Sequence, residues 1–201
     1  PERQPGLWQR VGEYWWIGLA LDPSQRPPRE EAWTGKHDEN GRLFPAADDG
    51  RYAWSAAFVS YVMRIAGAGP RFPYSANHAT YVNAAAAHQS PILEALPPER
   101  YAPRAGDLVC FGRMSARALK FADLPTQVGW PGHCAFVVGI EPGRLAVIGG
   151  NVDDAVTRTH VPVTAAGMLS NPDGTVLDTR YPWFVVLRVI YDAEAEPAGD
   201  E

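Results

Sequence analysis

The chain has 201 residues, the length of one ordinary domain, and can bury roughly two-thirds of the surface that it exposes when unfolded. With 46% hydrophobic and 20% charged residues, its composition is that of a packed globular protein and excludes a disordered chain or a coiled coil. A net charge of -5 argues against nucleic-acid binding, and no apolar run approaches the roughly 20 residues of a membrane span.

The first third of the chain is predicted to be mainly helical. Apolar residues at helical spacing indicate a helix over Leu7–Leu21, and the Pro- and Gly-rich residues 22–50 indicate a long surface loop. The almost entirely apolar segment 54–68 predicts a buried helix that is closed by glycines. A further helix is expected over about residues 77–88, with Asn77 as its N-cap.

The second half of the chain is predicted to form mainly strands. Five segments rich in Val, Ile and Phe lie between turn residues: Leu108–Phe111, His133–Ile140, Arg144–Ile148, Ala155–Val163 and Trp183–Tyr191. Helices first and antiparallel strands later is the order of an α+β domain whose helices pack on one side of a curled sheet. The acidic residues 192–201 are expected to form a frayed tail.

The two cysteines, Cys110 and Cys134, are too few for a disulfide framework or a thiolate zinc site. Cys134 follows His133 on a predicted strand, so the two side chains point to opposite faces of the sheet. Both cysteines can serve as small core residues, or they can form one bridge if their strands pair in an oxidising compartment.

Four short motifs follow one another along the chain. They are Trp54-Ser55-Ala56-Ala57-Phe58 at the start of the buried helix, Gly106-Asp107-Leu108-Val109, Gly132-His133 leading an apolar strand, and Gly149-Gly150-Asn151 near the end of the next strand. In this order they resemble the papain-like amidase superfamily of bacterial cell-wall hydrolases, particularly its CHAP and NlpC-type branches. The resemblance covers roughly residues 50–160.

The resemblance implies a single papain-like domain over residues 1–191 that cleaves an amide bond in peptidoglycan or a peptide. It places the nucleophile at Ser55, where the superfamily carries cysteine, the general base at His133 and the residue that orients the histidine at Asn151. The triad principle makes a serine feasible here, because His133 can take its proton during attack.

The chain also resembles an uncharacterised bacterial branch that combines Trp-Ser-Ala-Ala-Phe with a Phe-Pro-Tyr-Ser segment, here Phe72–Ser75. Members of that branch occur in exported proteins and in toxins that bacteria inject into rivals. This implies a periplasmic or secreted protein, with an immunity protein as a partner if it is a toxin.

Other interpretations of the same residues stay open. Ser55 suits the N-cap of its helix equally well, His133 could be a satisfied core histidine, and Asn151 could be a turn residue. Ser55 could also be an engineered replacement of a cysteine. The competing class is a catalytically inactive module that binds peptidoglycan or a peptide in the same groove.

Five further residues are expected to contact the substrate: Tyr52, Trp54, Tyr74, His78 and Asp153. The aromatic residues among them are more often core, and His78 could be an exposed helix start. Asp153 and its neighbour Asp154 are lesser candidates for orienting the histidine. No metal-ligand spacing occurs, so we expect no metal or other cofactor. We expect a monomer.

Overall fold

The computed structural model describes residues 4, 6–19 and 53–190, and these residues form an α+β fold, as the order of the predicted elements indicates. The predicted loop over residues 22–50 and the predicted acidic tail over residues 192–201 lie outside the described residues.

Three α-helices lie in the described part of the chain: α1 (Leu7–Trp16), α2 (Ser55–Ile65) and α3 (His78–Ala86). None of them is long and apolar enough to cross a membrane. As predicted, α3 begins after Asn77, whose side-chain oxygen accepts a hydrogen bond from the backbone N–H of Ala79 at 2.9 Å. This cap fixes where α3 starts, and therefore where His78 lies.

Helix α1 ends earlier than its apolar spacing predicts and continues as a turn. Gly18 lies in this turn, where a side-chain carbon would come within 2.7 Å of the backbone oxygen of Ala57. Only glycine allows the chain to approach α2 so closely.

Among the described residues, six strands form the sheet: β1 (Leu93–Leu96), β2 (Leu108–Gly112), β3 (Gly132–Glu141), β4 (Arg144–Val152), β5 (Ala155–Pro162) and β6 (Trp183–Val189). Five of them were predicted. The four-residue β1 was not, because prolines on both sides of it hide a short strand in a segment that reads as irregular.

All neighbouring strands are antiparallel, in the order β1-β6-β2-β3-β4-β5. Strand β2 lies between β6 and β3, and all five of its residues are buried. The sheet therefore holds the two motif strands, β2 and β3, side by side.

The core has two layers, one on each face of the sheet. The larger layer packs α1, α2 and α3 against one face and includes Leu108, Phe136 and Leu187. The smaller layer lies on the opposite face and includes Val109 and Ala135. Alternate strand residues fall in different layers, as the two-residue repeat of a strand requires.

Cys110 and Cys134 form a disulfide, so the bridge that the sequence left open is present. The two cysteines lie opposite each other in the register of β2 and β3, and both are fully buried in the helix-side layer. The bridge therefore joins the two strands immediately beside His133.

Removing this disulfide is expected to lower the free energy of unfolding. A bridge that closes a loop of 24 residues restricts the unfolded chain by an entropy worth about 3 kcal/mol. Cys110→Ala/Cys134→Ala and the parent protein would be compared by urea unfolding. Equal midpoints and slopes would contradict the prediction.

The Gly-Asp-Leu motif has a structural role. The Asp107 carboxylate is buried and accepts hydrogen bonds from the Tyr101 hydroxyl at 3.0 Å, from the Arg104 backbone N–H at 2.8 Å and from the Val189 backbone N–H at 3.1 Å. It ties the loop before β2 to the end of β6. A buried carboxylate needs such donors, because without them its burial would be costly.

Candidate active site

A cavity of about 820 Å³ opens where the N-terminal ends of α2 and α3 meet the ends of β2, β3 and β4. The helices contribute Ser55 and His78 to its wall. The polar residues on the sheet side are Arg113, Asn151, Asp153 and Asp154. The structure thus brings several predicted site residues to one cavity.

Ser55 is the first residue of α2, and its N-cap is Trp54. The Ser55 hydroxyl therefore does not cap the helix, and the capping interpretation is wrong. Instead, its Oγ lies 2.7 Å from the Nε2 atom of His78. Both side chains are at least 95% buried, so this hydrogen bond forms in a site that is largely shielded from water.

His78 is the first residue of α3 and is held on both sides of its ring. Its Nε2 contacts Ser55, and its Nδ1 forms a short hydrogen bond with the Tyr81 hydroxyl. When Nε2 accepts the Ser55 proton, Nδ1 carries the hydrogen and donates to Tyr81. This chain of contacts fixes the plane of the imidazole.

The charge state of this group follows from its burial. Desolvation lowers the pKa of His78 well below its usual value, and His133 and Arg113 nearby lower it further. Desolvation also raises the pKa of Tyr81 well above its usual value. Near neutral pH, His78 is therefore an uncharged base beside a protonated tyrosine.

His133 lies next to the His78 ring but is not the hydrogen-bond partner of Ser55. The two imidazole centroids are 5.6 Å apart, and among the described residues no hydrogen bond joins Ser55 to His133. His133 is buried, and its pKa is lowered to about 4 by desolvation and by the Arg113 charge. The contact expected between Ser55 and His133 is made by His78 instead.

A second cavity of about 140 Å³ adjoins the first and is lined by His133, Phe111 and Trp183. Arg113, Asn151 and Asp153 line both cavities. This smaller cavity lies over the second core layer, on the face of the sheet opposite the disulfide.

His133 also packs against Gly149. A side-chain carbon at Gly149 would lie 2.6 Å from the Nε2 atom of His133. The absence of a side chain at this position of β4 gives the imidazole its room.

Asn151 and Asp153 lie at the end of β4 and in the turn that follows. Asn151, Asp153 and Asp154 have φ angles of 57°, 51° and 57°, and the two aspartates form the left-handed turn between β4 and β5. Among the described residues no hydrogen bond joins the Asn151 side chain to either histidine. Asn151 was predicted to orient the base through its second ring nitrogen. In the structure that nitrogen, the Nδ1 atom of His78, contacts the Tyr81 hydroxyl instead.

The aromatic residues expected at the groove lie elsewhere. Trp54 is buried against Tyr14, with ring centroids 5.4 Å apart, and is not among the residues that line the Ser55 cavity. The Tyr74 hydroxyl donates to the Gly69 backbone oxygen, and its ring lies beneath Arg64. Both are structural, because they complete the packing around α2. Tyr52 lies outside the described residues.

Two residues of the site were missed in the sequence. Tyr81 lies three residues after His78, the spacing at which side chains meet on one face of a helix. Arg113 directly follows the Gly-Asp-Leu strand, and a charged residue just after a strand is a candidate for a binding site. Neither signal is specific by itself.

No three His, Cys, Asp or Glu side chains within residues 4, 6–19 and 53–190 are grouped so that they could hold a metal ion. The chemical groups that line the two cavities include a serine hydroxyl, two imidazoles that are neutral near pH 7, a guanidinium, two carboxylates and the amides of Asn77 and Asn151. A buried hydroxyl hydrogen-bonded to an uncharged imidazole is an arrangement for nucleophilic catalysis.

The fold and this cavity define an α+β protein with a buried serine–histidine pair. The chain belongs to DUF2272, a family of uncharacterized proteins conserved in bacteria, whose model matches residues 2–189. No curated protein and no solved structure matches the chain.

Proposed function

We propose that this protein is a bacterial cell-wall hydrolase with a papain-like arrangement, which cleaves an amide bond in the stem peptides of peptidoglycan. Ser55 is the nucleophile and His78 is its general base. The observation that carries the proposal is the 2.7 Å hydrogen bond between Ser55 Oγ and His78 Nε2 in the wall of the main cavity.

The chemistry follows from this pair. Ser55 Oγ attacks the carbonyl carbon of the scissile amide while His78 Nε2 takes its proton. The C–N bond then breaks, and the leaving nitrogen takes the proton from His78. Water hydrolyses the ester on Ser55 by the same route, with His78 first accepting a proton from the water and then returning it to Ser55. Tyr81 holds the imidazole in place throughout.

The start of α2 can stabilise the negative charge of the intermediate. The backbone N–H of Phe58 donates to the Trp54 oxygen, so the N–H groups of Ser55, Ala56 and Ala57 precede the first bond within the helix. They lie at the positive end of the helix dipole, beside the nucleophile. An oxyanion formed on the substrate next to Ser55 would lie close to these donors.

His133 supports the reaction from beside the base. Because its burial and the Arg113 charge keep it neutral, His133 adds no positive charge of its own to that of Arg113 when His78 takes up a proton. The helix-borne nucleophile and a histidine at the start of an apolar strand also follow the pattern of the papain-like amidases. These two features support the proposed fold family, while the base assigned to the reaction, His78, lies on α3 and not on the strand.

The disulfide supports a location outside the cytoplasm. Bridges of this kind form and persist in oxidising compartments, and the Cys110–Cys134 bridge is fully buried in the core. We therefore propose that the protein works in the periplasm or outside the cell, where its substrate would also be found.

The test is digestion of purified sacculi. The parent protein is expected to release muropeptides, and Ser55→Ala to reduce the release by about 10³-fold or more. Ser60→Ala is the matched control, because this hydroxyl lies in the same helix but bonds to the Ser75 backbone. Ser55→Cys is expected to retain hydrolysis and to be alkylated by iodoacetamide.

Full muropeptide release by Ser55→Ala would contradict the proposal. If the parent protein binds sacculi but releases no product, the protein is instead a binding module with the same groove.

A further inference from the structure

Arg113 has a fixed backbone. It directly follows β2, its N–H donates to the Pro131 oxygen at 2.8 Å, and its own oxygen accepts from the Ala116 N–H at 2.8 Å. The next residue, Met114, has a φ angle of 48° and is 83% exposed. A non-glycine residue in this conformation carries a strain that surrounding bonds must hold, and such residues concentrate at functional sites.

The Arg113 side chain, by contrast, has no partner among the described residues. Two other arginines, by comparison, are bonded: Arg117 donates to the Thr179 oxygen at 2.7 Å, and Arg144 pairs with Glu141 at 2.7 Å. Asp153 lines both cavities together with Arg113, but no ion pair joins them. The Arg113 side chain is exposed, and its guanidinium forms no hydrogen bond or ion pair with another described residue.

Arg113 is also the single arginine or lysine among the described residues that line the two cavities. The acidic residues Asp153 and Asp154 lie in the turn after β4 and line the main cavity together with Arg113. An acidic group of a bound molecule is attracted to Arg113 and repelled by the two aspartates.

We propose that Arg113 binds a carboxylate of the substrate, and that the substrate is a peptide with a free carboxylate next to the cleaved amide bond. This inference rests on the proposed function, since it assigns the substrate class of the same site. A guanidinium on a fixed strand end can donate two parallel hydrogen bonds to a carboxylate. The turn that carries Asp153 and Asp154 then sets the direction in which the peptide lies.

The experiment uses pairs of stem-like peptides that differ in one group, a free carboxylate or the corresponding carboxamide. The parent protein is expected to show a kcat/KM about 10- to 100-fold higher for the free carboxylate. Arg113→Met is expected to bring this ratio close to one, and Arg113→Lys to leave an intermediate ratio. Arg104→Met is the control, because Arg104 is exposed and lines neither cavity, and it should keep the parent ratio.

A second readout separates this inference from the proposed function. Ser55→Ala and Ser55→Ala/Arg113→Met are titrated with both peptides by calorimetry, after thermal melts have shown that both variants are folded. A preference for the carboxylate that disappears with Arg113→Met supports the inference even if no peptide is cleaved.

Two outcomes would overturn the inference. One is hydrolysis of both peptides at a ratio that Arg113→Met does not change, which would leave the proposed function intact. The other is the absence of any carboxylate preference in binding by Ser55→Ala.

Discussion

Replacing His78 with glutamine is expected to lower kcat for the proposed peptidoglycan cleavage by about 10³- to 10⁴-fold. Glutamine can still hydrogen-bond to Ser55 but cannot take its proton, so the hydroxyl stays a weak nucleophile. Initial rates of muropeptide release, measured with saturating sacculi, give this loss directly. A thermal melt of each variant separates lost chemistry from lost folding.

His133→Gln and His160→Gln complete the comparison. His133 contacts the His78 ring but not Ser55, so its loss is expected to be clearly smaller. His160 is exposed on β5 and lies 3.4 Å from Glu141, and its replacement should leave the rate unchanged. If His133→Gln abolished activity while His78→Gln had little effect, the base would be His133, as the sequence motif indicates.

The pH profile provides an independent check on the same base. His78 must be neutral to accept the Ser55 proton, and its pKa is held well below 6.5, chiefly by burial. In the pH profile of kcat/KM, the midpoint of the acid limb should therefore lie below pH 6.5. Stability should fall in the same direction, because histidines in the unfolded chain take up protons below pH 6.5 while His133 in the folded protein resists them down to about pH 4.

Local sequence patterns predicted the parts of the molecule that local forces determine. Asn77 was recognisable as a cap because a short polar side chain before an apolar run satisfies free N–H groups. The opposite faces of His133 and Cys134 followed from strand alternation, and the position of Cys134 in the helix-side layer agrees with it. The placement of Ser55 at the start of α2 had the same local origin.

The partner of Ser55 could not be predicted in this way. Ser55 and His78 are 23 residues apart, and their contact depends on how α2 and α3 lie relative to each other on the sheet. The motif resemblance indicated His133 as the base. In the structure the His133 ring lies beside the His78 ring, with centroids 5.6 Å apart, and does not bond to Ser55. Tyr81 was missed for a related reason. It is fully buried, and the sequence alone does not distinguish a core tyrosine from one that contacts His78.

The free side chain of Arg113 was equally invisible in the sequence. Whether an arginine is paired depends on which carboxylates the folded chain brings near it, and arginines occur throughout this sequence. Arg113 and the two aspartates come to the same cavity only because the end of β2 and the turn after β4 lie at the same end of the sheet strands.

Gly149→Ala is expected to reduce kcat/KM by about 10- to 100-fold, although Gly149 carries no reactive group. The new methyl group would lie 2.6 Å from His133 Nε2, and contacts that short force a side chain or a strand to move. His133 packs against the His78 ring, so its displacement reaches the proposed base, where a shift of about 1 Å can cost 10²-fold in rate.

The matched control is Gly139→Ala in β3. A side-chain carbon there would lie 3.5 Å from the Ala146 Cβ, an ordinary contact, so activity should not change. His133→Ala supplies the decisive background, because it removes the ring against which the methyl group would clash. If the clash is the cause, Gly149→Ala should cost little further activity in that background. An equal loss with and without the His133 ring would instead show that the substitution acts through β4 itself, and that His133 does not transmit it to His78.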